Sequence, residues 1–212
     1  MSTMLPEKLA LASCHHEAAV RSLDAGVEAN GAEKEVSFEE VFERYRSMVF
    51  NLTYRILGDH EEALDVSQEV FLAVYRKLHR FRWESSLKTW IYRIAINRAS
   101  NRCRWWNRLR RRGTVSLDQH MSANPVHDLA AAMVAPGGSP EEAVLAGEVS
   151  GQIERALVSL PIHQRIAVVM RDIEGLSYEQ IASAQQVSLG TVKSRIARGR
   201  EELKRRLNGA LG

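Results

Sequence analysis

Apolar residues in this chain recur at three- and four-residue spacings, and no stretch between turn signals alternates apolar with polar. A 3.6-residue period buries one face of a helix, whereas a half-buried strand needs a period of two. The expected fold is therefore all-α. Phe38, Val41, Phe42, Tyr45, Val49, Leu52 and Ile56 share one face of a helix over residues 37–57. Ser37-Phe38-Glu39-Glu40 reads as its capping box and Gly58-Asp59 as its stop. In a second helix over residues 60–80, Val66, Val70, Val74 and Leu78 form the inner face, with Phe71 and Tyr75 beside it. Residues 81–86 break the period and read as a loop. A third helix starts near Ser86 and runs through about Arg102, with Arg112 as its outer limit. Leu87, Ile91, Ile94 and Ala95 face inward there, and Lys88, Tyr92, Arg93, Asn97, Asn101 and Arg104 lie on the other side.

Residues 113–139 hold Gly113, Pro125, Pro136, Gly137 and Gly138 and no Lys or Arg. A structureless stretch this long argues against one compact domain, so it reads as a boundary. Ser139-Pro140-Glu141-Glu142 restarts helix, with Ser as cap, Pro first and acids in the first turn. Further helices are expected at about 140–159, 162–173, 177–184 and 188–207. The expected organisation is two small helical domains, residues 36–112 and 139–212, joined by a flexible acidic linker at 113–138. Residues 1–35 form a tail, with room for a short helix from about Glu7 to Leu23.

Composition narrows the class. With 45% apolar and 26% charged residues the chain is not wholly disordered. Its longest apolar run, Leu129–Ala135, is far short of the ~20 residues that cross a bilayer, so no membrane insertion is expected. Two cysteines, Cys14 and Cys103, build no disulfide framework, which fits the cytoplasm. Leu11-Ala12-Ser13-Cys14 imitates a lipoprotein cleavage box, but the basic start and long apolar stretch of a signal are missing. The net charge of +3 hides segregation: residues 36–112 carry 16 basic and 9 acidic groups, and residues 113–148 carry 5 acids and no base. Two basic blocks around an acidic strip are the footprint of a polyanion partner.

Three constellations could carry function. The most specific is a helix-turn-helix. Ser177-Tyr178-Glu179-Gln180-Ile181-Ala182 is a short capped helix, Gln185-Gln186-Val187 is a turn, and Ser188 caps a basic helix with Thr191, Lys193, Ser194, Arg195, Arg198 and Arg200. Val192, Ile196, Leu203 and Leu207 keep one side of that helix apolar. A helix fits the major groove, where Arg, Lys, Ser and Thr reach phosphates and base edges. The second constellation interleaves Phe81, Trp83, Trp90, Tyr92, Trp105 and Trp106 with ten cations over residues 82–112. Aromatic faces stack on exposed bases while cations hold the backbone, which suits melted nucleic acid; Trp90 and Tyr92 also read as core or core-edge residues. The third is the stripe Asp65, Gln68, Glu69, Leu72 and Arg76 on one side of the second helix, equally a solvated face or a docking face. Catalytic residues, a metal and a cofactor are not expected. Cys14-His15-His16 has no matching second ligand cluster, and no nucleotide loop or nucleophile motif is present.

Asp65–Phe71 and Phe81–Asn97 closely resemble region 2 of the bacterial extracytoplasmic-function (ECF) sigma factors. Leu160-Pro161, Gly175–Ala182 and Gly190–Ile196 resemble their region 4. The resemblance covers about residues 37–110 and 139–207, and Trp83 stands where many relatives carry Gly. It implies a chain that binds core RNA polymerase, brings it to promoter DNA and opens the duplex. In that reading Asp65, Gln68, Glu69 and Leu72 dock the polymerase. Phe81, Arg82, Ser85, Ser86 and Lys88 capture a flipped base of the −10 element, and Arg93, Asn97 and Asn101 follow the non-template strand. Ser188, Thr191, Lys193, Ser194, Arg195 and Arg198 read the −35 element. The acidic linker, with Asp118, Asp128, Glu141 and Glu142, would thread toward the RNA exit path. An anti-sigma factor is a common partner in the resembled family, although no residue here identifies one. The alternative is a stand-alone helix-turn-helix regulator, which leaves the Asp65–Leu72 stripe idle. An enzyme that flips bases would need a metal or nucleophile set that the sequence does not show.

Overall fold

The computed structural model describes residues 36–82, 84–111 and 150–210. The described residues are helical and contain no strand. Helices α1 (Phe38–Leu57) and α2 (His60–Lys77) are followed by a short 3-10 turn at Leu78–Arg80 and by α3 (Leu87–Arg111). Then come α4 (residues 150–158), α5 (Ile162–Val168), α6 (Tyr178–Gln185) and α7 (Leu189–Ala210). The final turn after α5, Val169–Ile173, widens to π geometry.

Helices α1, α2 and α3 pack against one another as a three-helix unit. Ser37 caps α1 by accepting from the Glu40 N–H at 3.2 Å. Gly58 ends α1 at φ 74°, a left-handed conformation that a side chain disfavours. Asp59 at once caps α2 through the Glu62 N–H, so one Gly-Asp pair closes one helix and opens the next. Val49, Leu52 and Ile56 of α1 meet Val66, Val70 and Val74 of α2 in the core. Two small polar residues cross among them. Thr53 Oγ1 lies 3.0 Å from Ser67 Oγ, and both also bond carbonyls of their own chain turns, so neither hydroxyl is left unsatisfied by burial.

The second unit is built on α7, against which α5 and α6 pack. Val192, Ile196 and Leu203 turn inward. Gly199 lies buried at the crossing with α5, where an added Cβ would stand 2.6 Å from Val168 Cγ2. An ion pair from Arg200 to Asp172 staples α7 to the π turn. Arg200 therefore serves the fold.

The two units share one apolar core. Helix α3 packs on α6 and α1 on α5. Arg165, only 8% exposed, donates to the carbonyls of Ile56 at the end of α1 and of Val158 and Leu160. Glu174 accepts from Arg55 at 3.0 Å and from the Tyr92 hydroxyl at 2.9 Å. The Tyr54 hydroxyl donates to Glu154 at 3.3 Å; burial and the Glu154 charge push the Tyr54 phenol up to about 12, and burial pushes Glu154 up as well. Of the two sequence readings of Tyr92, outer side of α3 or core edge, the structure takes the second: Tyr92 is 1% exposed because the second unit covers that side. Trp90 and Ile91 are core residues.

The tail with Cys14-His15-His16, the loop residue Trp83, and the linker with Asp118, Asp128 and the Ser139-Pro140-Glu141-Glu142 helix start lie outside the described residues. So do Arg112 and the side chains of Arg110 and Arg111.

Gly190 and Gly199 of α7 should respond oppositely to alanine. Gly199→Ala forces Val168 to move and is expected to cost about 1–3 kcal/mol. A Cβ at Gly190 meets nothing within 4 Å, so Gly190→Ala should be neutral or stabilising by up to about 1 kcal/mol. Urea midpoints of the two variants check this; equal shifts would contradict the packing at Gly199.

Candidate nucleic-acid and polymerase interface

Because α2 buries Val66, Val70 and Val74, its opposite side must face out. Asp65, Gln68 and Leu72 are exposed there, Leu72 to 55%. Glu69 is half-buried and differs from its neighbours. It accepts from Arg102 at 2.8 Å and from Arg98 at 3.4 Å, while Arg102 also binds Glu62 at 2.5 Å. Burial works against the Arg102 charge, but the two carboxylates more than offset it and its pKa is raised. Glu69 thus ties α2 to α3 as well as edging the stripe. Next to Leu72 the surface turns aromatic. Tyr75 is 63% exposed, packs edge-on against Phe38 at 5.2 Å, and Phe42 stands edge-on to Phe71 at 4.8 Å. The sequence set Tyr75 beside the buried face; the structure places it outside, since α1 ends its cover at Phe38 and Phe42.

The loop before α3 is held at both ends. The half-buried Phe81 leans on Trp90 with ring centroids 5.0 Å apart. Ser86 Oγ accepts from the Thr89 N–H at 3.1 Å and lies 2.8 Å from Thr89 Oγ1, starting the helix. Arg82 between these anchors is exposed, and Ser85 and Ser86 are half-buried. Along α3, Lys88 and Arg93 are half-buried while Asn97 and Asn101 are exposed. Arg104 donates to Asn101 Oδ1 at 2.7 Å, and with Asn107 and Arg108 these side chains line a shallow basic depression. The exposed Trp105 packs edge-on against Trp106 at 4.9 Å. Cations and aromatic faces are thus presented together, the combination that holds an unstacked strand.

The helix-turn-helix forms from matched local signals. Both halves of the Ser177–Gln180 capping box are present, at 2.8 and 3.2 Å. Gln186 makes the turn at φ 54°, the one positive φ at a non-glycine among the described residues. Ser188 then caps α7 through the Thr191 N–H at 3.3 Å. The first turns of α7 present Ser188, Lys193, Ser194 and Arg198 to solvent, with Thr191 and Arg195 half-buried. Ser194 Oγ donates to the Thr191 carbonyl at 2.9 Å, and Arg195 is held by Gln185. Arg198 and Lys193 are exposed cations there, whereas Arg195 is braced by the preceding helix. The helix end offers backbone N–H donors to a phosphate beside these groups.

Comparison with known proteins covers both units. The family model described as Sigma-70 region 2 matches residues 41–112, and that described as Sigma-70, region 4 matches residues 150–203. RNA polymerase sigma-H factor of Pseudomonas aeruginosa is 37% identical over 179 residues, covering 82% of this chain and 88% of that protein. ECF RNA polymerase sigma factor SigW of Bacillus subtilis is 33% identical over 171 residues, covering 81% and 89%. Among solved structures, the sigma factor RpoE in complex with the anti-sigma factor NepR from Bartonella quintana matches with a TM-score of 0.62 at 23% identity, over 81% of this chain and 96% of that one. CnrH in complex with the cytosolic domain of CnrY matches with a TM-score of 0.52 at 19% identity, over 90% and 96%. At these identities the solved structures support the fold alone.

The Glu62–Arg102–Glu69 arrangement makes a stability prediction. Arg102→Ala leaves two half-buried carboxylates without their cation and should cost about 1–3 kcal/mol. Arg98→Ala removes a longer, exposed pairing and should cost less than about 1 kcal/mol. Equal denaturation midpoints for the two variants would contradict this assignment.

Proposed function

We propose, for a chain that belongs to the extracytoplasmic-function family of RNA polymerase sigma factors, that it binds core RNA polymerase, directs it to specific promoters and promotes opening of the DNA. The observation that carries this reading is the coexistence of two different surfaces on one chain. A stand-alone DNA-binding protein needs the capped helix-turn-helix of α6 and α7. It has no use for an exposed Asp65–Gln68–Leu72 stripe bordered by Tyr75.

In this reading Asp65, Gln68 and Leu72 make the polymerase contact, and Glu69 orients the stripe through Arg102. Phe81 to Lys88 receives a base unstacked from the −10 element, with Phe81 leaning on Trp90 at the start of the loop. Arg93, Asn97 and Asn101 follow the displaced strand. Thr191, Lys193, Ser194 and Arg198 enter the major groove of the −35 element, with Ser188 at the helix start facing a phosphate. The role is non-catalytic: it supplies binding energy and strand capture, and bond formation belongs to the polymerase. The chain works in the cytoplasm, where polymerase and promoter are; among the described residues no helix is long and apolar enough to cross a membrane. An anti-sigma factor is the regulator that membership in this family implies.

Two experiments test the reading. Gln68→Ala with Leu72→Ala should lower affinity for core polymerase by about tenfold or more while the melting temperature stays put, since both side chains are exposed. An intact polymerase complex in that variant would remove the docking assignment. Arg198→Ala should weaken binding to a −35 duplex by about 1–3 kcal/mol and relax specificity there. The same loss on scrambled duplex would reduce Arg198 to a phosphate contact.

A further inference from the structure

We propose that Gly190 sets how deep α7 enters the major groove, and that its missing side chain is what makes the helix selective for sequence. This deepens the −35 reading above and rests on it for the identity of the duplex. A glycine inside a helix is less stable than an alanine, so it needs a reason to be there. Gly58 and Gly175 have one in their backbone, at φ 74° and 69°. Gly199 has one in its packing, since a Cβ there would meet Val168 Cγ2 at 2.6 Å. Gly190 has neither. It lies within α7, its φ is not positive, and a Cβ built on it meets nothing within 4 Å. The fold gains nothing from the absent methyl, so the reason lies in what α7 touches.

The place of Gly190 on the helix says what that is. Lys193, Ser194 and Ala197 follow it at three, four and seven residues, so they share its face. All four are exposed. The opposite side, with Val192, Ile196 and Leu203, is buried. Gly190 therefore stands on the outer face of α7, one turn ahead of Ser194. A helix with its side chains is about 10–12 Å across, and the major groove is about 12 Å wide and ~8.5 Å deep. So little room remains that one methyl on the leading face holds the helix backbone away from the bases.

The side chains on this face differ in reach, and that turns depth into selectivity. Lys193 and Arg198 are exposed, long and flexible, and they still find phosphates when the helix backs off. Ser194 is short. Its hydroxyl donates to the Thr191 carbonyl at 2.9 Å, close against the helix, and it meets a base edge only when α7 is fully seated. Phosphate contacts are blind to sequence, whereas base-edge contacts carry it. A methyl at position 190 therefore strips selectivity and spares general affinity.

The test compares wild type, Gly190→Ala and Gly190→Leu, whose new residues are good helix formers of increasing bulk. Each full chain is joined to core RNA polymerase. The probe is a promoter fragment that the wild-type complex binds and transcribes, used intact and with its −35 block scrambled. Gly190→Ala should lower affinity for the intact fragment by about tenfold, and Gly190→Leu by more. On the scrambled fragment both should lose less than about threefold. The melting temperature of free Gly190→Ala should hold or rise, a sign opposite to the loss of binding that a merely structural glycine would not give. Wild-type affinity in both variants, or an equal loss on the two fragments, overturns the proposal. So does a fall in the melting temperature of Gly190→Ala, because the fold would then be what needs the glycine. If the wild-type chain joins no polymerase, the sigma-factor reading fails. The same comparison on a duplex that the chain alone selects from a random pool then decides Gly190, and selection of no sequence overturns it too.

Discussion

The crossing of α1 and α2 at Thr53 and Ser67 sets the rest of the structure. Small hydroxyl side chains at that point let the two helices approach closely while satisfying their own hydrogen bonds. The crossing fixes the rotation of α2 about its axis. Val66, Val70 and Val74 are committed inward, and the Asp65–Gln68–Leu72 stripe is committed outward. Glu62 and Glu69, at the edge of that stripe, then draw in Arg102 and so position α3. The exposed stripe of α2 and the placement of α3 are thus two outputs of one packing arrangement.

Much of this was legible in the sequence because local signals and apolar periodicity agreed. Helix α1 begins beside Ser37 and ends at Gly58, and α7 begins after Ser188, as their caps require. The turn at Gln186 and the basic outer face of α7 were also readable. Three features are settled only by partners distant in sequence. Tyr92 follows the polar side of α3 and becomes core only when the second unit covers it. Arg200 reads as one more cation of a recognition helix until Asp172 is brought beside it. Arg165 lies in a short apolar helix with no local sign that it binds the end of α1. Gly199 did carry a signal: a glycine inside a helix costs stability unless something packs against it, and Val168 does.

The two units use charge in opposite ways. On their outer faces, Lys193, Arg198, Arg82 and Arg108 stay in water and are available to a polyanion. Between the units, Arg55 and Arg165 are withdrawn from water and each has oxygen acceptors across the boundary. The first set suits long-range, salt-sensitive recognition, and the second gives a directional contact that holds only in one arrangement.

The measurement that bears most directly on this account is reconstituted transcription with purified chain, purified bacterial core RNA polymerase and genomic promoter fragments, read with permanganate reactivity of unpaired thymines. The account predicts transcripts that core polymerase alone does not make, starting at fixed sites, with unpaired thymines just upstream of each start. Sequence-specific DNA binding by the chain, with no new transcripts and no opened duplex in the presence of core polymerase, would contradict it.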